Sequence, residues 1–357
     1  MSERPTSSAS APRWHAAMVA DPLGPTDGGV VALIAADGRH WAWVPESGQL
    51  RALPRLGRGS DAVAPLVVAG GGAVLIEVEA LLTDDGTPML ERRFSEGIFR
   101  LDLSDLSTAR LPFEPHDGWE WCHELAASPD GAMVAVAEEW RPDEFYDISR
   151  QFGPGRFLER VRATAGIPRW FALHLVDVRA GTSTAILTQP TAMPGSSEDR
   201  PVHWSPDGAL IALSTMSAVP GVPMTVVIDA STGDPRHTID GARLVGSLAW
   251  HPDSGRLLLD RRGRIVEHRL DTGGERPLPP LPGAGSETRR PEPPGNGHHR
   301  VLGYADEERL FTVTHRATTM TLTRLVPGSD QVEPVARWSG STDMYPRLTA
   351  MPPGFWG

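Results

Sequence analysis

The residues best equipped for chemistry begin with the run Trp119-Glu120-Trp121-Cys122-His123-Glu124. Two carboxylates and an imidazole in one short stretch could move a proton or help to hold a metal, and the two indoles offer large rigid contact area. Further along stand Arg200 with His203, His299 with Arg300, and Tyr345 with Arg347. Arg200 and Arg300 would supply charge-fixed donors for a carboxylate or phosphate. Each residue also has a purely structural reading. His203 can be a hydrogen-bonded core histidine, Cys122 a small buried hydrophobe, and Trp204 and Trp250 packing between repeats. No nucleophile motif, phosphate loop or metal signature accompanies the cluster. Cys122 is the only cysteine, which excludes an intrachain disulfide and a Cys-based zinc site.

These residues stand just before or within the first strand of a repeated unit. The unit is clearest at Arg200–Leu213, RPVHWSPDGALIAL: a short strand, a tight Pro206-Asp207-Gly208 turn, and a second strand. Gly after Asp supplies the positive φ of the turn, and Pro presets the position before it. The unit recurs at Leu125–Val136, LAASPDGAMVAV, and more loosely at Leu248–Leu259, LAWHPDSGRLLL. A third strand with period-2 alternation recurs six times, at Trp41–Val44, Ile98–Leu103, Phe171–Val178, Thr225–Asp229, Ile265–Leu270 and Met320–Val326. A Gly soon after most of them turns the chain into a fourth strand. Six third strands predict six repeats, spaced as propeller blades are spaced. Arg347–Gly354, RLTAMPPG, lines up with a first strand and turn that nothing continues. It is expected to complete the blade begun by Val30–Leu53 and so close the ring. The competing reading gives that place to His15–Val19.

WSPDGALIAL and AASPDGAMVAV resemble the TolB-type, WD40-like propeller repeat, an apolar strand, Ser-Pro-Asp-Gly, then an apolar strand. Trp250–Leu259 matches in part, and Tyr304–Val313 keeps the strand pattern without Pro-Asp-Gly. The resemblance implies a propeller fold. The same repeat occurs beside serine peptidases of the prolyl-oligopeptidase type, but this chain has no Gly-x-Ser-x-Gly and no room for a hydrolase domain.

Composition narrows the classes. The 357 residues carry a net charge of −11 and no lysine, which argues against a general nucleic-acid or anionic-membrane binder. No apolar run is long enough to span a bilayer, and the N-terminus has no signal-peptide pattern. A cytoplasmic monomer without cofactor or metal is expected. Residues 1–13 read as a disordered tail and residues 14–357 as one propeller.

Loops carry more functional information than strands. The first-to-second and third-to-fourth turns are short. The long connections, Leu81–Gly97, Trp140–Trp170, Gln189–Arg200 and Leu281–His299, with Pro112–Trp119 a shorter one, all fall at the other ends of the strands. One face is therefore bare and the other elaborated. Within residues 140–170, between the second and third strands of the third blade, Phe145, Ile148 and Phe152 have helical spacing, Gly153-Pro154-Gly155 breaks it, and Phe157, Leu158 and Val161 begin again. A helical hairpin follows, either a packing cover or a lid. The Pro/Gly-rich segment 279–298 reads as a polyproline-like loop.

The expected fold is therefore all-β: a single six-bladed β-propeller of four-stranded blades, with a helical-hairpin insertion on its loop-rich face. The expected function is non-catalytic binding of a protein or a small polar or anionic ligand on that face, through Trp119, Glu120, Trp121, His123, Glu124, Arg200, His203, His299, Arg300 and Tyr345. The alternative is an enzyme acting in the central funnel beneath the insertion, by His/Glu acid-base or metal chemistry.

Overall fold

A computed structural model describes residues 29–36, 39–43, 50–52, 66–69, 73–83, 91–102, 108–113, 124–191, 202–217, 222–279, 281, 299–316, 319–339 and 347–351. The expected tail and nearly all of segment 279–298 lie outside them. Among the described residues the chain forms six four-stranded antiparallel sheets. Sheet 2 contains Leu66–Ala69, Ala73–Thr83, Glu91–Asp102 and Thr108–Arg110, in that order. Sheet 3 contains Glu124–Ala127, Met133–Trp140, Arg169–Asp177 and Thr182–Thr191. Sheet 4 follows with Val202–Trp204, Leu210–Met216, Pro223–Asp229 and Pro235–Asp240. Arg243–Leu244, Arg256–Arg261, Arg264–Arg269 and Glu275–Pro277 make sheet 5. Sheet 6 is His299–Tyr304, Leu310–Arg316, Thr319–Leu325 and Val332–Ser339.

Sheet 1 joins the two ends of the chain. Its first strand is the C-terminal Arg347–Met351, which pairs antiparallel with Gly29–Ala36 from Gly29↔Met351 to Leu33↔Arg347. Arg39–Trp43 and Leu50–Ala52 complete it. The leftover first strand thus sits where the repeat pattern requires. His15–Val19 lies outside the described residues.

Period-2 alternation explains how the sheets pack. Along Leu210–Met216, Ile211 and Leu213 face sheet 3 and join Phe171, Leu173, Ala135 and Ala137. The intervening Ala212 faces sheet 5 and joins Leu257, Leu259 and Trp250. Burying one such leucine or isoleucine contributes about 1.5–3 kcal/mol. Trp204 and Trp250 fasten neighbouring sheets: the Trp204 indole N–H donates to the Ala126 carbonyl (2.9 Å), and that of Trp250 to the His203 carbonyl (3.1 Å).

The Ser-Pro-Asp-Gly turns are held by their own side chains. The Asp207 Oδ1 accepts from the Ser205 hydroxyl (2.5 Å) and the Ala209 amide (3.0 Å), while Gly208 takes φ +74°. Ser128, Asp130 and Ala132 repeat the arrangement at 2.6 and 3.0 Å.

One expectation fails. Leu81–Gly97 is mostly strand rather than loop, because Ala73–Thr83 pairs with Glu91–Asp102 out to Thr83↔Glu91, with a register shift at Val78/Glu79. Pairing satisfies backbone groups that an open loop would leave to water. The charged run Glu91-Arg92-Arg93 hides this extension from a reading based on polarity. Likewise Gln189–Thr191 belong to the last strand of sheet 3. No helix among the described residues is long and apolar enough to cross a membrane.

Candidate functional site: the helical connection of sheet 3

Strands Met133–Trp140 and Arg169–Asp177 end in a cross-strand pair, Trp140 opposite Trp170, with rings stacked at 6.3 Å. The connection they launch holds α1 (Asp143–Ser149), a single 3-10 turn at Pro154–Arg156, and α2 (Phe157–Thr164). Pro142 precedes α1, and Asp143 and Glu144 fill its first turn, where carboxylates favour the helix dipole. Phe145, Tyr146 and Ser149 are the buried side of α1, and the Arg141 guanidinium lies over the Phe145 ring at 3.8 Å. α1 ends at Ser149, and Pro154, which lacks an amide hydrogen, opens the 3-10 turn that follows.

The helical stripe expected from sequence is present only in part: Phe152 lies beyond the end of α1, and the apolar groups do not all point inward. Ile148 and Phe152 are only half-buried. Phe157, Leu158 and Val161 are 52%, 68% and 45% exposed. They share one side of α2, at i, i+1 and i+4, while the buried residue of that helix is Thr164. Among the described residues only Val332 is another exposed large hydrophobe. Arg156 is taken up by Glu159 and Arg150 by Asp147 (3.1 Å). Arg160 stacks over Phe157 at 5.3 Å, and Arg162 is exposed. Neither meets a carboxylate among the described residues.

Beneath this connection lies a polar pair that sequence reasoning missed. Glu138, wholly buried, meets His174 Nε2 at 3.1 Å on the side of sheet 3 that faces sheet 2. The Phe113 ring packs edge-on against the imidazole at 5.2 Å. Both residues break an apolar alternation, Val134-Val136-Glu138 and Ala172-His174-Val176, and that break is the signal that could have revealed them.

A second cluster lies between sheets 5 and 6. The Glu267 carboxylate accepts from the Tyr304 hydroxyl (2.9 Å), Arg256 Nη1 (3.3 Å) and Arg276 Nη2 (3.1 Å). Burial first, and then the bond to Glu267, pushes the Tyr304 phenol far above its ordinary range. His251 packs edge-on against Tyr304 at 4.8 Å. Its Nε2 lies 3.1 Å from the Glu307 carbonyl and 2.7 Å from Arg256 Nη2, and its Nδ1 lies 3.1 Å from the Asp253 amide and 2.9 Å from Asp253 Oδ1. Here the segment between the first two strands of sheet 5 touches the first strand of sheet 6: the Leu248 amide donates to the Leu302 carbonyl (2.9 Å) and the Tyr304 amide to the Leu248 carbonyl (2.8 Å). The Leu348 amide of sheet 1 also reaches the Ser247 hydroxyl (2.9 Å).

The residues predicted from sequence are mostly not described. Trp119, Glu120, Trp121, His123, Arg200 and Tyr345 lie outside the described residues. Glu124 opens the first strand of sheet 3, opposite Ala137, and His299 opens that of sheet 6, opposite Thr314. His203 sits in the middle of its strand, half-buried, and Arg300 is exposed. No group of three or more His, Cys, Asp or Glu among the described residues could hold a metal.

No family model matches the sequence, and no curated protein does either. Solved structures do. TolB from Acinetobacter baumannii superposes at a TM-score of 0.51 with 11% identity, over 92% of this chain and 68% of that one. The chain resembles TolB in fold. A nidogen/laminin complex gives 0.50 with 9% identity, over 90% of this chain and 98% of that one. A putative TolB from Agrobacterium tumefaciens gives 0.46 with 13% identity, over 92% and 100%. At such identities the likeness is one of architecture, a TolB-like β-propeller of four-stranded antiparallel blades, and function has to be argued from this chain's own residues.

Proposed function

We propose that the chain is a non-catalytic binding protein: one closed six-bladed ring, residues 14–357, that recognises a protein partner on the face carrying the helical connection. The observation that carries the reading is the exposed side of α2. Phe157, Leu158 and Val161 stand in water together on one short helix, and apolar groups gathered on a surface in this way mark a contact site for a partner. Glu138 with His174, and Glu267 with the Tyr304 hydroxyl, are buried, which suits packing more than proton transfer to a substrate. Trp119, Trp121 and Arg200 precede inner strands of sheets 3 and 4 and would extend the same surface.

A photo-crosslinking residue placed at position 158 should capture a defined protein from the source cell, and the same residue at position 130, on the bare face, should not. Capture at 130 alone, or at neither, would retire the reading.

A further inference from the structure

The chemistry around the exposed stripe narrows the partner. Phe157, Leu158 and Val161 need an apolar counterpart. On either side of them stand Arg160 and Arg162, whose charges meet no carboxylate among the described residues, whereas Arg150 and Arg156 are already paired within the connection. From this we infer that α2 docks an acidic amphipathic protein segment, and the inference rests on the binding reading above. Its apolar residues would cover Phe157, Leu158 and Val161, while flanking Asp or Glu side chains pair with Arg160 and Arg162.

Other occupants fit less well. An anionic lipid plane would also face Asp143 and Glu144 on the adjoining α1 and a chain of net charge −11, whereas a short segment need meet only the side of α2 that Arg160 and Arg162 flank. A second copy could set its own stripe against this one, but a two-fold contact there would also bring Arg160 and Arg162 of both copies together, like charge on like. An acidic segment matches both halves of the surface. Arg in place of Lys also favours fixed, two-pronged carboxylate contacts.

The test is panning of a random linear peptide library displayed on phage against the full-length protein, with winners resynthesised and measured by fluorescence anisotropy. Winners should combine aromatic or aliphatic residues at helical spacing with several Asp or Glu. Their affinity should fall about tenfold with Arg160→Glu plus Arg162→Glu, fall further with Leu158→Ser plus Val161→Ser, and weaken with added salt. Melting curves of each variant confirm folding. Winners that ignore the arginine reversal sink the acidic class yet leave α2 as the docking element. Winners that ignore the apolar changes, or a library that yields none, sink α2 as a docking element and the functional reading with it. Binding to phosphatidylcholine/phosphatidylglycerol vesicles, or dimerisation in light scattering, that Leu158→Ser abolishes would overturn the proposal in favour of a membrane or a second copy.

Discussion

The connection carrying α1 and α2 and the seam between sheets 5 and 6 treat polar and apolar atoms in opposite ways. At the seam, the Glu267 carboxylate and the Tyr304 phenol go inside, and each carboxylate oxygen of Glu267 finds a donor. Main chain meets main chain through Leu248, Leu302 and Tyr304. In the connection, large apolar groups stay outside, and Arg160 and Arg162 meet no carboxylate among the described residues. A cluster rich in Tyr, Glu, Arg and His is what a search for catalytic residues would choose first. The bonds that Glu267 accepts from Tyr304, Arg256 and Arg276 argue instead that the cluster fixes one sheet against the next, because both Glu267 oxygens are already taken. The unsatisfied surface is the better guide to function.

The largest effect that could sharpen this contrast is at Gly303. It holds φ +133°, and a Cβ there would lie inside the Leu248 carbonyl, so both conformation and space demand glycine. Gly303→Val should cost more than about 4 kcal/mol in denaturant melts or prevent folding. A stable variant would mean that the segment around Leu248 and the first strand of sheet 6 are not in contact. Glu267→Ala comes next. It leaves the Tyr304 hydroxyl without its acceptor in a buried site, while the exposed Arg276 can turn to water, at a cost of about 1–3 kcal/mol. A loss below about 1 kcal/mol would show the network to be solvent-screened, and with it the contrast would weaken.

The seam was invisible in sequence for a physical reason. Glu267 and Tyr304 are 37 residues apart, Glu138 and His174 36, and nothing local says which sheets pack together. By contrast, the strand order was legible throughout. Alternation and Ser-Pro-Asp-Gly are local signals, and the orphan strand Arg347–Met351 could be assigned to Gly29–Ala36 because every other repeat was already complete. The hairpin arm Ala73–Thr83/Glu91–Asp102 was misread because its charged residues mimic a loop. Helical spacing disclosed the stripe on α2, but spacing cannot say what covers a stripe. Of the ten residues put forward for the site, six lie outside the described residues, so that surface is carried here by α2 alone.

A smaller effect separates the turns of the bare face from both regions. In Asp130 the Ser128 hydroxyl, and then the Ala132 amide, hold the carboxyl below its ordinary pKa. In Asp207 burial pushes upward, but bonds from Ser205, Ala209 and Ser254 outweigh it and leave the pKa lowered. A carboxyl depressed in the folded state stabilises above its unfolded pKa, and that contribution is lost as pH falls through the folded value. Stability should therefore decline below about pH 4, and Asp207→Asn should flatten that decline while costing about 1 kcal/mol at pH 7. The check is a pair of melting series from pH 7 to pH 3. An unchanged acid limb in the variant would show that these turns are not its source.

The smallest expected stability effect is the most informative for function. Leu158 is 68% exposed and Val161 45% exposed, so serine at both positions removes little buried area and should shift stability by no more than about 0.5 kcal/mol in either direction. The same double change removes two of the three apolar groups offered to a partner. Binding should then be lost while melting is unchanged, the inverse of Glu267→Ala, which should lower stability and leave binding by the residual folded protein intact. If Leu158→Ser plus Val161→Ser destabilised the protein by as much as a core substitution, the stripe would be covered by residues 1–28 or by another part of this chain. α2 would then be packing, and the distinction between the two regions would collapse.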